Sequence, residues 1–169
     1  FCSAESAVEL IDRWPQLVVL RTLSKAWAAA AVRCGTVIAD PAVIGLLQRV
    51  IAPYPLAATA IDAALQATGG ETRDLQRQFI DEVRQAREDL NGFLLKFDWI
   101  RDSWESEANF ILVRVTDADG LVNWCEGRGI RIRNFNSQPR LENCVRLTIG
   151  NAEEMAMLKE TLQAYGEQL

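Results

Sequence analysis

The chain has 169 residues, 49% of them apolar, with a formal net charge of −5 and a pI of about 4.9. That length suits one globular domain or a large piece of a longer protein, and the apolar share is enough to bury a core. The acidic balance argues against a nucleic-acid or anionic-membrane binder, no apolar run approaches the roughly 18 residues of a membrane span, and no secretory signal is visible.

In chain order, Leu17-Val18-Val19-Leu20 is a short continuous apolar run, and residues 34–39 form another. Such runs suit strands buried on both faces, as in a parallel sheet. Asp40-Pro41 predicts a helix start, with Asp as cap and Pro at the first helical position. Val43, Leu46, Leu47, Val50 and Ile51 recur at helical spacing until Pro53-Tyr54-Pro55 stops them. A further helix is expected over residues 59–67, ended by Gly69-Gly70. Residues 72–96 read as the clearest helix, with Leu75, Phe79, Val83, Ala86, Leu90 and Leu94 as one apolar stripe for core packing.

The grammar then changes. Residues 110–115, 130–133 and 145–149 read as strands, the last two alternating apolar with polar, which gives one wet face and one buried face. Helices over 119–127 and 152–165 interleave with them. Asn151, with Glu154 three positions on, is close to a capping box. The fold class is therefore α/β: part of a doubly wound layer over 1–70, a connecting helix over 71–97, and a smaller α+β domain over 98–169.

The four cysteines lie far apart with no CxxC pair, which reads as reduced thiols, three of them in apolar or strand-like segments. Histidine is absent, which removes His-based metal sites and every Ser-His or Cys-His couple. Chemistry must come from elsewhere. Thr22-Leu23-Ser24-Lys25 stands where a predicted strand ends, the edge at which open α/β sheets bind ligands. A lysine there is partly desolvated, which favours the neutral amine that condenses with an aldehyde. The hydroxyls of Thr22 and Ser24, with Arg33 eight residues on, suit a phosphate dianion. The same residues also fit an ordinary exposed lysine among loop hydroxyls, and from them alone both readings stand.

The wider text adds to this. Residues 20–27 (Leu-Arg-Thr-Leu-Ser-Lys-Ala-Trp) and Val32-Arg33-Cys34-Gly35 resemble the lysine segment of the fold-type I aminotransferases, most closely histidinol-phosphate aminotransferases. Residues 51–56, 129–133 and 144–150 resemble later segments of the same family, in order and at compatible spacing. The resemblance implies the C-terminal part of the cofactor-binding large domain over 1–70, the connecting helix, and the small C-terminal domain. It implies pyridoxal 5'-phosphate as cofactor, Lys25 as the lysine that holds it and then moves the substrate's α-proton, and Ser24, Thr22 and Arg33 at its phosphate. Arg146 would bind the α-carboxylate of glutamate, Arg133 the phosphate of histidinol phosphate, with Arg131 and Arg128 as rivals to Arg133. Tyr54 would lie near the active site or a dimer contact; no metal is implied.

The activity so implied is histidinol-phosphate transamination in histidine biosynthesis, by a cytoplasmic homodimer without nucleic-acid or membrane partners. Aromatic-amino-acid aminotransferases and threonine-phosphate decarboxylases share the motifs and are the neighbouring readings. A truncated, non-catalytic dimerisation or binding module is the reading of a different class. Two departures stand out. Ala28-Ala29-Ala30-Ala31-Val32 replaces a stretch where the family usually has glycine, so added methyls are expected to crowd the turn, and Trp27 replaces the usual phenylalanine. The chain opens at Phe1 without methionine, and the acidic residue that meets the cofactor's ring nitrogen falls upstream, so this chain alone is expected to show little activity.

Overall fold

The computed structural model describes residues 1–2 and 4–169. The chain divides into two compact units, one running to Ile80, the other comprising Phe1–Cys2 and Asp81–Leu169.

In the first unit, β1 (Val18–Thr22) pairs antiparallel with β2 (Gly35–Ala39), from Val18 opposite Ala39 to Thr22 opposite Gly35. This corrects the expected parallel strands buried on both faces. A parallel partner needs a long crossover, usually a helix, whereas residues 23–34 fold into a loop that turns the chain straight back. The two strands form a sheet of their own, and Leu20 is 70% exposed. Helix α1 (Pro41–Gln48) starts as predicted, the Ala42 N–H donating to Asp40 Oδ1 at 2.8 Å. Helix α2 (Ala58–Ala67) follows. No described residue before Val83 is buried.

The loop between β1 and β2 explains the family's glycine. Ala28 has a φ of 50°, a left-handed backbone that costs an L-residue with a Cβ about 1–2 kcal/mol. Its side chain is exposed. The departure therefore shows as backbone strain and not as crowding.

The second unit holds the core. Helix α3 (Gly70–Leu94) enters it at Asp81, and β3 (Ile100–Ser103), β4 (Phe110–Val115), α4 (Ala118–Glu126), β5 (Arg133–Asn134), β6 (Cys144–Thr148) and α5 (Ala152–Gly166) follow. The sheet is antiparallel throughout, in the order β3-β4-β6-β5. Ile111, Val113 and Val115 of β4 and Val145 and Leu147 of β6 face the helices, at 1% exposure or less. Val83, Leu90 and Leu94 of α3, Leu121 and Cys125 of α4, and Leu158 and Leu162 of α5 close over them. Of the predicted α3 stripe, only the part inside this unit is buried; Leu75 and Phe79 are exposed. Phe1 and Cys2 attach here, Arg84 donating to both of their carbonyls at 3.0 Å.

Two strands depart from expectation. The predicted strand over 130–133 shrinks to Arg133–Asn134, because the turn that follows α4 runs on to Gly129 (φ 77°) and the chain only then reaches the sheet. Strand β3 was not anticipated, since its Ile-Arg-Asp-Ser text has no apolar alternation. The capping box of α5 is present in both directions: Glu154 N–H donates to Asn151 Oδ1 at 2.9 Å, and Asn151 N–H to Glu154 Oε2 at 2.8 Å. None of the four cysteines forms a disulfide; Cys125 and Cys144 are buried and Cys2 is exposed.

Two outcomes follow. Ala28→Gly relieves the left-handed strain and gives back about 0.4–1 kcal/mol in unfolded-state freedom. Amide exchange at Leu23 and Ala29, whose hydrogen bonds close the loop, should slow a few-fold; unchanged or faster exchange would contradict the strain. Burial pushes the Cys125 thiol up to about 11, partly offset by the Arg128 guanidinium, and also raises Tyr165. Between about 9 and 11 the unfolded thiol has lost its proton while the folded one keeps it. Stability should therefore fall as pH rises through that window, and thermal melts with a flat midpoint there would refute it.

Candidate functional site

In the first unit the structure brings Thr22, Ser24, Lys25 and Arg33 to one end of the β1–β2 hairpin. Thr22 ends β1, and its Oγ1 accepts the Ser24 N–H at 3.3 Å. The Leu23 N–H donates to the Cys34 carbonyl at 3.2 Å, and the Ala29 N–H returns to the Leu23 carbonyl at 3.0 Å. Between these ties the chain turns at Lys25, the Ala28 N–H donating to the Lys25 carbonyl at 2.9 Å. Arg33, itself left-handed at φ 54°, gives one guanidinium N–H to the Ala30 carbonyl at 3.1 Å. Its remaining donors face solvent.

Lys25 is exposed, so the desolvation expected at a strand end is not supplied by this unit. A charge pattern the sequence reading overlooked lies around it. From Arg13 to Ala39 the chain carries Arg13, Arg21, Lys25 and Arg33 and no acidic residue, within a protein of net charge −5. A cationic stretch with loop hydroxyls is suited to a phosphate. Tyr54 also belongs to this unit, 96% exposed, with a φ of 59° between two prolines.

In the second unit Arg146 lies in β6, directly opposite Leu112 of β4 on one side and Arg133 of β5 on the other. Opposed residues of an antiparallel pair share a face, with Cβ atoms about 4.5–5.5 Å apart. The two guanidiniums lean opposite ways along that face, Arg146 over the Phe110 ring at 5.0 Å and Arg133 over the Phe135 ring at 5.9 Å, and the Arg146 Nε is buried with no hydrogen-bond partner among the described residues. A buried charged donor left unpaired is costly, and an anion on this face would satisfy it.

The other arginines nearby behave differently. Arg114 meets Asp102 at 3.2 Å, donates to the carbonyls of Glu142 and Arg140 at 3.1 Å, and covers Trp104. Arg128 lies 3.3 Å from the Trp124 ring centroid, and Arg131 approaches Glu126 at 3.8 Å in solvent. The rivals to Arg133 thus have partners of their own. Asn109 supplies its carbonyl to the Ile149 N–H at 2.9 Å, a structural role. Among the described residues no group of His, Cys, Asp or Glu is placed to hold a metal.

One polar cluster was missed. Asp119 accepts from the side-chain amides of Asn134 and Asn136, at 2.7 and 2.8 Å. Nothing in the spacing of the two asparagines points to an aspartate on the helix before them.

Comparison with known proteins draws these features together. A family model described as aminotransferase class I and II matches residues 1–162. The histidinol-phosphate aminotransferase of Pectobacterium carotovorum is 39% identical over 164 residues, which is 97% of this chain and 46% of that protein. The chain thus spans about half the length of the curated relatives it matches. Among solved structures, histidinol-phosphate aminotransferase from Clostridium acetobutylicum superposes with a TM-score of 0.87 at 20% identity, over 97% of this chain and 50% of that one. The Sinorhizobium meliloti histidinol-phosphate aminotransferase, solved in complex with pyridoxal-5'-phosphate, gives 0.74 at 20% identity, over 94% and 44%. These two likenesses show a shared α/β fold, and the match to the family model, running through all but the last few residues, shows that the chain belongs to the class I and II aminotransferases.

Proposed function

We propose that this chain is the C-terminal half of a histidinol-phosphate transaminase of histidine biosynthesis, which moves an amino group between the glutamate/2-oxoglutarate pair and the histidinol phosphate/imidazole acetol phosphate pair. The observation that carries the substrate half of this reading is the buried Arg146 Nε, without a hydrogen-bond partner among the described residues, with Arg133 directly opposite Arg146. Both substrates carry anionic groups: glutamate presents a carboxylate and histidinol phosphate a phosphate. A planar guanidinium accepts either. In this reading Arg146 holds the α-carboxylate of glutamate and Arg133 the phosphate of histidinol phosphate.

The proposed cofactor is pyridoxal 5'-phosphate, and the donor set fits it. Thr22 and Ser24 offer hydroxyls, Arg33 offers guanidinium N–H groups, and the cationic loop favours a dianion. When bound, the cofactor supplies an electron sink for the substrate's α-carbon. Lys25 Nζ holds the cofactor and then carries the proton to and from the α-carbon, work that requires a neutral amine. Since Lys25 is exposed here, its apolar cover is proposed to come from the remainder of the enzyme. The 169-residue chain alone is accordingly expected to turn over little substrate.

The large-domain assignment over 1–70 and the small-domain assignment over 98–169 are part of the same reading. So is a homodimer, supported by the run of exposed apolar side chains Leu46, Val50, Ile51, Leu65 and Leu75, with Tyr54 as a contact. Cysteines that form no disulfide favour a cytoplasmic location. No helix among the described residues is long and apolar enough to cross a membrane.

In the whole protein, Lys25→Ala should lower kcat by about 10³-fold, the scale of a lost acid-base group. Borohydride reduction of the wild type should leave the cofactor's mass on the Lys25 peptide. Arg146→Ala should raise the KM for glutamate by roughly 10- to 100-fold, the scale of a lost charge-assisted bond. Label on another lysine, or turnover retained without Lys25, would sink the assignment, and rates with phenylalanine and threonine phosphate set against histidinol phosphate decide between the neighbouring substrates. Sedimentation equilibrium should return twice the monomer mass, and a monomer at micromolar concentration would remove the dimer.

A further inference from the structure

Strand β5 is two residues long and meets β6 through Arg133 opposite Arg146 and Asn134 opposite Val145, with one further backbone bond from the Phe135 N–H to the Cys144 carbonyl at 2.9 Å. So short a ladder is a weak hold for a side chain meant to meet a ligand. A second tie, from outside the ladder, would keep β5 in register.

We propose that Asp119 is the positioning residue for Arg133, and that it acts through Asn134. Its two carboxylate oxygens each take one amide: Asn134 Nδ2 donates to Oδ1 at 2.7 Å and Asn136 Nδ2 to Oδ2 at 2.8 Å. The amides are themselves locked. The Asn136 N–H donates to Asn134 Oδ1 and the Asn143 N–H to Asn136 Oδ1, both at 2.8 Å, and the Ala118 N–H donates to Asn143 Oδ1 at 3.4 Å. Asp119 stands on firm ground, in the first turn of α4, whose Ala118, Leu121 and Cys125 are all at 0% exposure.

Neighbouring residues of a strand point to opposite faces. A clamp on Asn134 from the α4 side therefore turns Arg133 out beside Arg146. A slip of one residue would send it the other way. The short strand and the two-handed carboxylate have a common explanation in this clamp. The inference rests on the reading of Arg133 and Arg146 as the substrate-anion face.

The test uses the whole protein with cofactor bound. Asp119→Asn keeps the size of the side chain but turns one acceptor into a donor that opposes an asparagine amide. It should raise the KM for histidinol phosphate about 5- to 10-fold, and weaken inorganic phosphate in calorimetry by the same factor. The kcat and the KM for glutamate should stay within twofold. In an Arg133→Ala background the same substitution should have no further effect, which a general loss of packing would not reproduce. Asn134→Ser, which removes the amide and leaves Asp119, should give the same signature and serves where Asp119→Asn folds poorly. If Arg133→Ala weakens phosphate while Asp119→Asn and Asn134→Ser do not, the clamp is wrong and the anion face stands. If Arg133→Ala leaves phosphate binding unchanged, the anion face is wrong and the clamp goes with it. A lower melting temperature with reduced kcat and unchanged KM values in both variants would also overturn the proposal.

Discussion

Strand β6 does two jobs because its side chains alternate. Val145 and Leu147 look into the core and are fully buried, while Arg146 between them looks out onto the face it shares with Phe110, Leu112 and Arg133. The same ladder of backbone hydrogen bonds that seats the apolar residues fixes the guanidinium. Packing and the proposed recognition are thus tied to one register, and neither can shift without the other. That coupling holds a partly exposed arginine with its Nε buried and no hydrogen-bond partner among the described residues.

The residues proposed to hold the cofactor rest on a different footing. The Lys25 loop is organised by backbone hydrogen bonds and two left-handed residues, Ala28 and Arg33, and not by burial. A two-stranded sheet is marginal on its own, and no described residue of this unit is buried. The loop therefore holds its shape locally.

How much could be read from the text follows from these physical differences. Helix starts were legible because caps are local: Asp40-Pro41 and Asn151 with Glu154 both appear in the structure with the expected bonds. Strand β6 was legible because its text alternates apolar with polar, and β4 because it is a short apolar run. The direction of β1 and β2 was not, since an apolar run reports burial and says nothing about which way its neighbour runs. The shortness of β5 and the whole of β3 were hidden too. Both depend on where the sheet's edges fall, and their own side chains carry little pattern. Among the site residues, the hairpin end could be assembled because Thr22, Ser24, Lys25 and Arg33 are near in sequence. Asp119 could not, being linked to Asn134 only by the fold.

Arg146 sits close to a mechanical stop. Strand β6 ends at Thr148, and the Asn151–Glu154 cap opens α5 at Ala152. The Glu154 side chain already fills the space beside Gly150, its Oε2 lying where a Cβ there would be. The link between strand and helix has no slack. One added or deleted residue would either unseat the cap or rotate the arginine into the core. This stretch can change over evolution by exchanging side chains but hardly by altering its length, so gaps between relatives should collect in other connections and spare this one.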